Sequence, residues 1–127
     1  MNDEEKSPLT GRTKSFALRI IRLYSALPKT AAAQVIGKQL LRSGTSVGAQ
    51  YREARRSRSR AEFISKTESA IQELDETTYW LELLSDAKII PAKRLDDLVR
   101  EATELTAMLV SSAKTAKENR PAGRKVR

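Results

Sequence analysis

RSGTSVGAQYREARRSRSR, residues 42–60, decides how this 127-residue chain is read. The stretch opens with Gly44 and Gly48 set among hydroxyl residues and closes with Arg52, Arg55, Arg56, Arg58 and Arg60 against Glu53 alone. A phosphate-cradling loop of the Walker type needs a glycine-rich turn that follows a strand and closes on Gly-Lys-Ser/Thr. SGTSVG has no such lysine and no strand pattern before it. A loop break is the next reading, because glycine costs about 1 kcal/mol in a helix interior. Yet the apolar phase carries straight through, with Ile36, Leu40, Val47, Tyr51 and Ala54 on one helical face. Ala33, Gly37, Gly44 and Gly48 lie close to one stripe beside it. Small residues at that spacing let a second backbone approach, and Ser and Thr hydroxyls can bond to carbonyls one turn earlier. The stretch therefore predicts one helix from Ala31 to Arg56, roughly 39 Å long, slim in its middle and basic at its end.

Working outward, Thr30 is suited to cap that helix, and Pro28 ends the segment before it. That first segment, Thr13 to Leu27, sets Phe16, Ile20, Leu23 and Leu27 at helical spacing. On the other side, Ser59 with Glu62 three residues on forms a capping-box pattern. It opens a third helix with the stripe Phe63, Ala70, Ile71, Leu74, Thr78, Leu81 and Leu84. Pro91 suits the start of a fourth helix, whose stripe Leu95, Leu98, Ala102, Leu105, Leu109, Ser112 and Ala116 is close to a strict heptad. Four helices with short connections predict an all-α, antiparallel, up-down-up-down four-helix bundle. The expected division is a disordered acidic segment at 1–11, the bundle at 12–119 and a flexible basic tail at 120–127.

Composition narrows the function classes. With no cysteine, neither a disulfide framework nor a thiolate metal site is possible, and with no histidine the commonest general base and metal ligand are missing. No apolar run approaches the roughly 20 residues of a membrane span, and MNDEEKSP is wrong for a secretory signal. A soluble cytoplasmic protein is expected, with no membrane partner, no cofactor, no metal and no small-molecule substrate. The formal charge is +8 and is segregated by sign. Residues 12–42 hold seven basic groups and no acid, whereas residues 61–90 hold seven acids against Lys66 and Lys88. Such a surface attracts polyanions, and it can also mate with another copy of itself.

LLRSGTSVGAQYREARRSRSRAEFISK, followed by AIQELDETTYWLELL, resembles the bacterial four helix bundle protein family, also known as the ribosomal RNA intervening-sequence protein family. Its members were first noticed as products of intervening sequences inside large-subunit ribosomal RNA genes. The resemblance runs from about Phe16 to Leu109. Gln50 stands where the family usually has asparagine, and Thr67 where it usually has leucine. The resemblance implies a small antiparallel bundle that assembles as a ring, typically a homopentamer, with no enzymatic activity. A more distant resemblance is to the accessory variability protein of diversity-generating retroelements, also a basic pentamer, which engages a reverse transcriptase and RNA.

Each candidate site has a plainer alternative. Arg52, Arg55, Arg56, Arg58 and Arg60 suit nucleic-acid phosphates, but they also suit a solvated helix end or pairing with the acids of the third segment. Gly44, Ser46, Gly48 and Tyr51 mark either close packing or an oligomer interface. Of the neighbours Tyr79 and Trp80, which point about 100° apart, one is expected in the core and the other at an interface. Trp80 lies off the central stripe and is assigned to the interface; base stacking by an exposed pair is the alternative. The acids of the third segment are scattered and lack the histidine partners of a bundle di-metal site. Two functions follow: a non-enzymatic basic oligomeric adaptor for RNA or a reverse transcriptase-like ribonucleoprotein, or a protein–protein assembly module with no nucleic-acid role.

Overall fold

The computed structural model describes residues 7–119, and among the described residues it has four helices and no strand. They are α1 (Pro8–Ser25), α2 (Ala31–Arg55), α3 (Arg60–Asp86) and α4 (Ala92–Glu118). Two caps read from the sequence form as expected. Thr30 Oγ1 accepts from the Ala33 amide, and Ser59 Oγ accepts from the Glu62 amide at 3.0 Å. Glu62 reaches one residue beyond the expected box, accepting from the Arg58 amide at 3.0 Å. At the other end α3 closes through Lys88 at φ 60°, and the Ile89 and Ile90 amides both bond the Leu84 carbonyl.

The first boundary needs correction. Residues 8–11, expected in a disordered segment, form the first turn of α1, with Leu9 and Thr10 buried. Proline fits the first helical position, where its missing N–H costs nothing. Leu9 and Thr13 extend the Phe16–Ile20 stripe backwards at helical spacing, which a search begun at Thr13 overlooks. Residues 1–6 and the expected tail at 120–127 lie outside the described residues.

α1 packs against α2 and α4, and α3 packs against the same two helices; the backbones of α1 and α3 make no close approach, nor do those of α2 and α4. The helices therefore occupy four corners around one core of Phe16, Ile20, Leu40, Val47, Leu74, Leu81, Leu84, Leu105 and Leu109, all fully buried. Several stripe positions differ from expectation, Phe63 and Ile71 among them being half-buried. On α3 the buried threonine is Thr77, with Thr78 half-buried, and on α4 the stripe ends at Ala113, with Ser112 and Ala116 half-buried. A 3.6-residue turn drifts from a strict heptad, so the buried face of a nearly straight helix takes an extra step of four at its end.

The small-residue stripe of α2 faces α1 of the same chain. A Cβ at Gly37 would stand 2.6 Å from Leu27 Cδ1, and one at Gly44 would stand 2.8 Å from Ile20 Cγ1 and 2.9 Å from its Cγ2. At Gly48 it would stand 3.1 Å from Thr13 Oγ1 and 3.5 Å from the Thr13 carbonyl carbon. The absent side chains are thus what allow α1 to seat on α2. Across the opposite flank of α2, Ser43 and Thr77 place their hydroxyl oxygens 2.8 Å apart, and Thr77 Oγ1 is also 2.8 Å from the Glu73 carbonyl oxygen. Thr67, equally buried, leaves its hydroxyl without a partner among the described residues.

These contacts carry two expectations for stability. Gly44→Leu should lower it by about 1–3 kcal/mol, the usual cost of overpacking, although helix propensity alone would favour leucine; a raised melting temperature would contradict the close seam. Thr67→Val and Thr77→Val make the same chemical change with opposite expected signs. The first removes an orphaned buried hydroxyl and should raise the melting temperature. The second breaks two hydrogen bonds and should lower stability by about 1–3 kcal/mol. Equal shifts in urea melts would refute the hydrogen-bond assignment.

Candidate nucleic-acid interface

The α2–α3 connection is built by its own hydrogen bonds. The Arg56 amide donates to the Arg52 and Glu53 carbonyls, the Ser57 amide donates to the Ala54 carbonyl, and the Ser57 hydroxyl donates to the Glu53 carbonyl at 3.1 Å. With Ser59 capping α3, the chain reverses within residues 56–59. All five candidate arginines therefore come to one end of the bundle. Arg52, Arg55, Arg56 and Arg58 are exposed and Arg60 is half-buried. Arg52 and Arg55 also sit in the last turn of α2, where cations suit the negative pole of the helix dipole.

Pairing with the acids of α3 is the plainer alternative for these arginines, and the cross-helix ion pairs decide where those acids are spent. Glu73 and Glu76 take Arg42, at 3.4 and 2.6 Å, and Glu68 takes Lys117 at 2.8 Å. Glu53, the acid embedded in the arginine run, is held 2.7 Å from Lys66, whose pKa is raised by that contact. Arg12, near the start of α1, is clamped between Glu101 and Glu104, which hold its guanidinium firmly in the charged form. None of Arg52, Arg55, Arg56, Arg58 and Arg60 forms an ion pair with a described carboxylate.

Three neighbouring features adjoin this basic end. The Lys117–Glu68 pair brings the last turns of α4, with exposed Lys114, alongside the first half of α3. A cleft of about 500 Å3 opens between the ends of α1, α2 and α4, lined by Ser7, Tyr51, Arg55, Ser111 and Ser112 among others. A second groove, about 300 Å3, lies between α1 and α2 and is flanked by Lys14 and Arg52. The sequence reading missed Lys14 as a neighbour of Arg52, because only the folded seam brings residues so far apart in the chain together.

The remaining candidates have structural places. Gly44 and Gly48 lie in the α1–α2 seam. Ser46 is half-buried and donates to the Arg42 carbonyl at 2.7 Å. Tyr51 is buried, with its hydroxyl 2.9 Å from Ser7 Oγ. Trp80, expected at a subunit interface, is half-buried against the margin of the chain's own core, one turn from buried Thr77 and Leu84 on the same side of α3. Its neighbour Tyr79 is the exposed aromatic, 53% accessible, with the two rings edge to face at 5.0 Å. Among the described residues no three acids gather as a metal-ligand set would require, and no helix is long and apolar enough to cross a membrane.

The sequence model of a family described as 23S rRNA-intervening sequence protein matches residues 5–111. The chain is also similar to a crystal structure of a protein of unknown function from the S23 ribosomal protein family of Bacteroides thetaiotaomicron. The two share 40% sequence identity and a TM-score of 0.79, over 84% of this chain and 98% of that one. No curated protein matches.

Proposed function

The chain belongs to the family of 23S rRNA-intervening sequence proteins, and from that premise we propose that it is a non-enzymatic, basic, oligomeric adaptor that binds RNA or a ribonucleoprotein. The observation that carries this reading is the set of five arginines at one end of the bundle, in no ion pair with a described carboxylate, while Glu53, Glu68, Glu73 and Glu76 are taken by other cations. Guanidinium groups held on a helix end and a tight turn suit phosphate oxygens, and phosphate contacts supply most sequence-independent affinity. An up-down-up-down path is part of the same reading. It is supported by contacts that join the start of α1 to the end of α2 (Ser7 with Tyr51) and the end of α2 to the start of α3 (Glu53 with Lys66).

Assembly completes the proposal. In a ring, five copies being the size the resemblance implies, each arginine cluster would recur around one rim, and multivalent contact raises avidity without a strong single site. The test is the full chain carrying Arg52→Glu, Arg55→Glu and Arg56→Glu, titrated with a short labelled single-stranded RNA at several salt concentrations. Binding should weaken at least about tenfold, and the slope of log affinity against log salt should shrink by about 2, three contacts at roughly 0.7 each. Helicity should stay unchanged. If affinity and slope match the parent chain, the arginines do not hold RNA. If the oligomer falls apart instead while RNA binding survives in what remains assembled, they are subunit contacts.

A further inference from the structure

The two helices at diagonal corners of the bundle, α1 and α3, carry outer faces that match each other. On α1, Lys14, Leu18, Ile21, Arg22 and Ser25 fall on one exposed stripe, and Leu18 and Ile21 are 45% and 42% accessible. On α3, Asp75, Tyr79, Glu82 and Asp86 fall on one exposed stripe, with Tyr79 53% accessible. The charges oppose: α1 holds four cations and no acid, whereas α3 holds seven acids against Arg60 and Lys66. Lys14, Arg22, Asp75, Glu82 and Asp86 form no ion pair with any described residue.

The spacing matches as well as the sign. Lys14 and Arg22 are eight residues apart, roughly 12 Å along a helix, and Asp75 and Glu82 are seven apart, roughly 10.5 Å. In each case the exposed apolar side chains, Leu18 and Ile21 on one helix and Tyr79 on the other, stand between the two charges. Both faces therefore read charge, apolar centre, charge at one pitch, the arrangement of a small interface with an apolar middle and a polar rim.

We propose that the α1 stripe of one copy docks on the α3 stripe of the next, with Lys14 facing Asp75, Leu18 and Ile21 covering Tyr79, and Arg22 facing Glu82. This rests on the reading above that the chain assembles with itself, and it names the surfaces that meet. A second copy is the occupant because this chain already carries both halves, matched in sign, spacing and apolar centre. The two faces lie at opposite corners of the bundle, so the contact is head-to-tail, and a head-to-tail contact closes into a ring when its rotation allows. It borders the arginine end at Lys14, which flanks the groove beside Arg52.

Charge exchange on the full chain tests it, with mass measured by light scattering and folding checked by circular dichroism. The parent should be a multimer. Lys14→Glu with Arg22→Glu should lose the multimer, and so should Asp75→Lys with Glu82→Lys, both with helicity retained because all four residues are exposed. All four changes in one chain restore complementarity and should restore the multimer, as should mixing the two double variants. The neutral pair Asp75→Asn with Glu82→Gln, which introduces no repulsion, should shift the same equilibrium partway toward monomer. If either reversal keeps the parent's mass, or the fourfold chain stays monomeric although folded, the pairing is wrong and the chain assembles through other faces. If the parent is itself monomeric, the assembly reading falls before this one is reached.

Discussion

The approach of α1 to α2 across Gly37, Gly44 and Gly48 is the constraint on which the rest of the structure depends. A Cβ at Gly44 would stand 2.8 Å from Ile20 Cγ1, one at Gly48 would stand 3.1 Å from Thr13 Oγ1, and one at Gly37 would meet Leu27, just past the end of α1, at 2.6 Å. A larger residue at Gly44 would press on Ile20, a fully buried core residue. The same seam sets Lys14 beside Arg52 and brings Ser7 to Tyr51, so the basic end of the bundle is shaped by contacts well down the helices. Packed interiors transmit such displacements because they hold few voids to absorb them.

Helix α2 then serves two purposes along its length. Its middle is buried on both flanks, by α1 through glycine and by α3 through the Ser43–Thr77 contact. Its last turn and the following connection are exposed and strongly cationic. A stiff helix that ends in a hydrogen-bonded turn holds those arginines at fixed separations, which lowers the ordering cost of meeting a polyanion. Glu53 and Glu68 are held by other cations, Lys66 and Lys117.

Much of this was legible in the sequence, for reasons that differ by residue. The unbroken apolar phase from Ile36 to Ala54 outweighed the glycines and identified α2 as one helix, and Thr30 and Ser59 marked helix starts because hydroxyl caps have a local signature. Other features were not local. The stripe of small residues showed that something packs closely there, but a neighbouring subunit and the chain's own α1 leave the same trace. Thr77 was misread as Thr78 because periodicity fixes a face only to within about one residue. Trp80 sits at the margin of the α3 stripe, and only the packing of the folded bundle distinguishes core margin from interface. The arginines were plain from composition, while their freedom from carboxylates depended on which cations the acids of α3 meet in three dimensions.

The most direct measurement is the nucleic-acid content of the full chain isolated from cells at moderate salt, followed through a salt series with particle mass recorded alongside. The protein should emerge as a multimer with an ultraviolet spectrum showing bound RNA, and that RNA should leave log-linearly as salt rises. Protein that is free of nucleic acid at low salt, and that takes up no RNA when it is added back, would contradict the assignment of the arginine end as an RNA-binding surface.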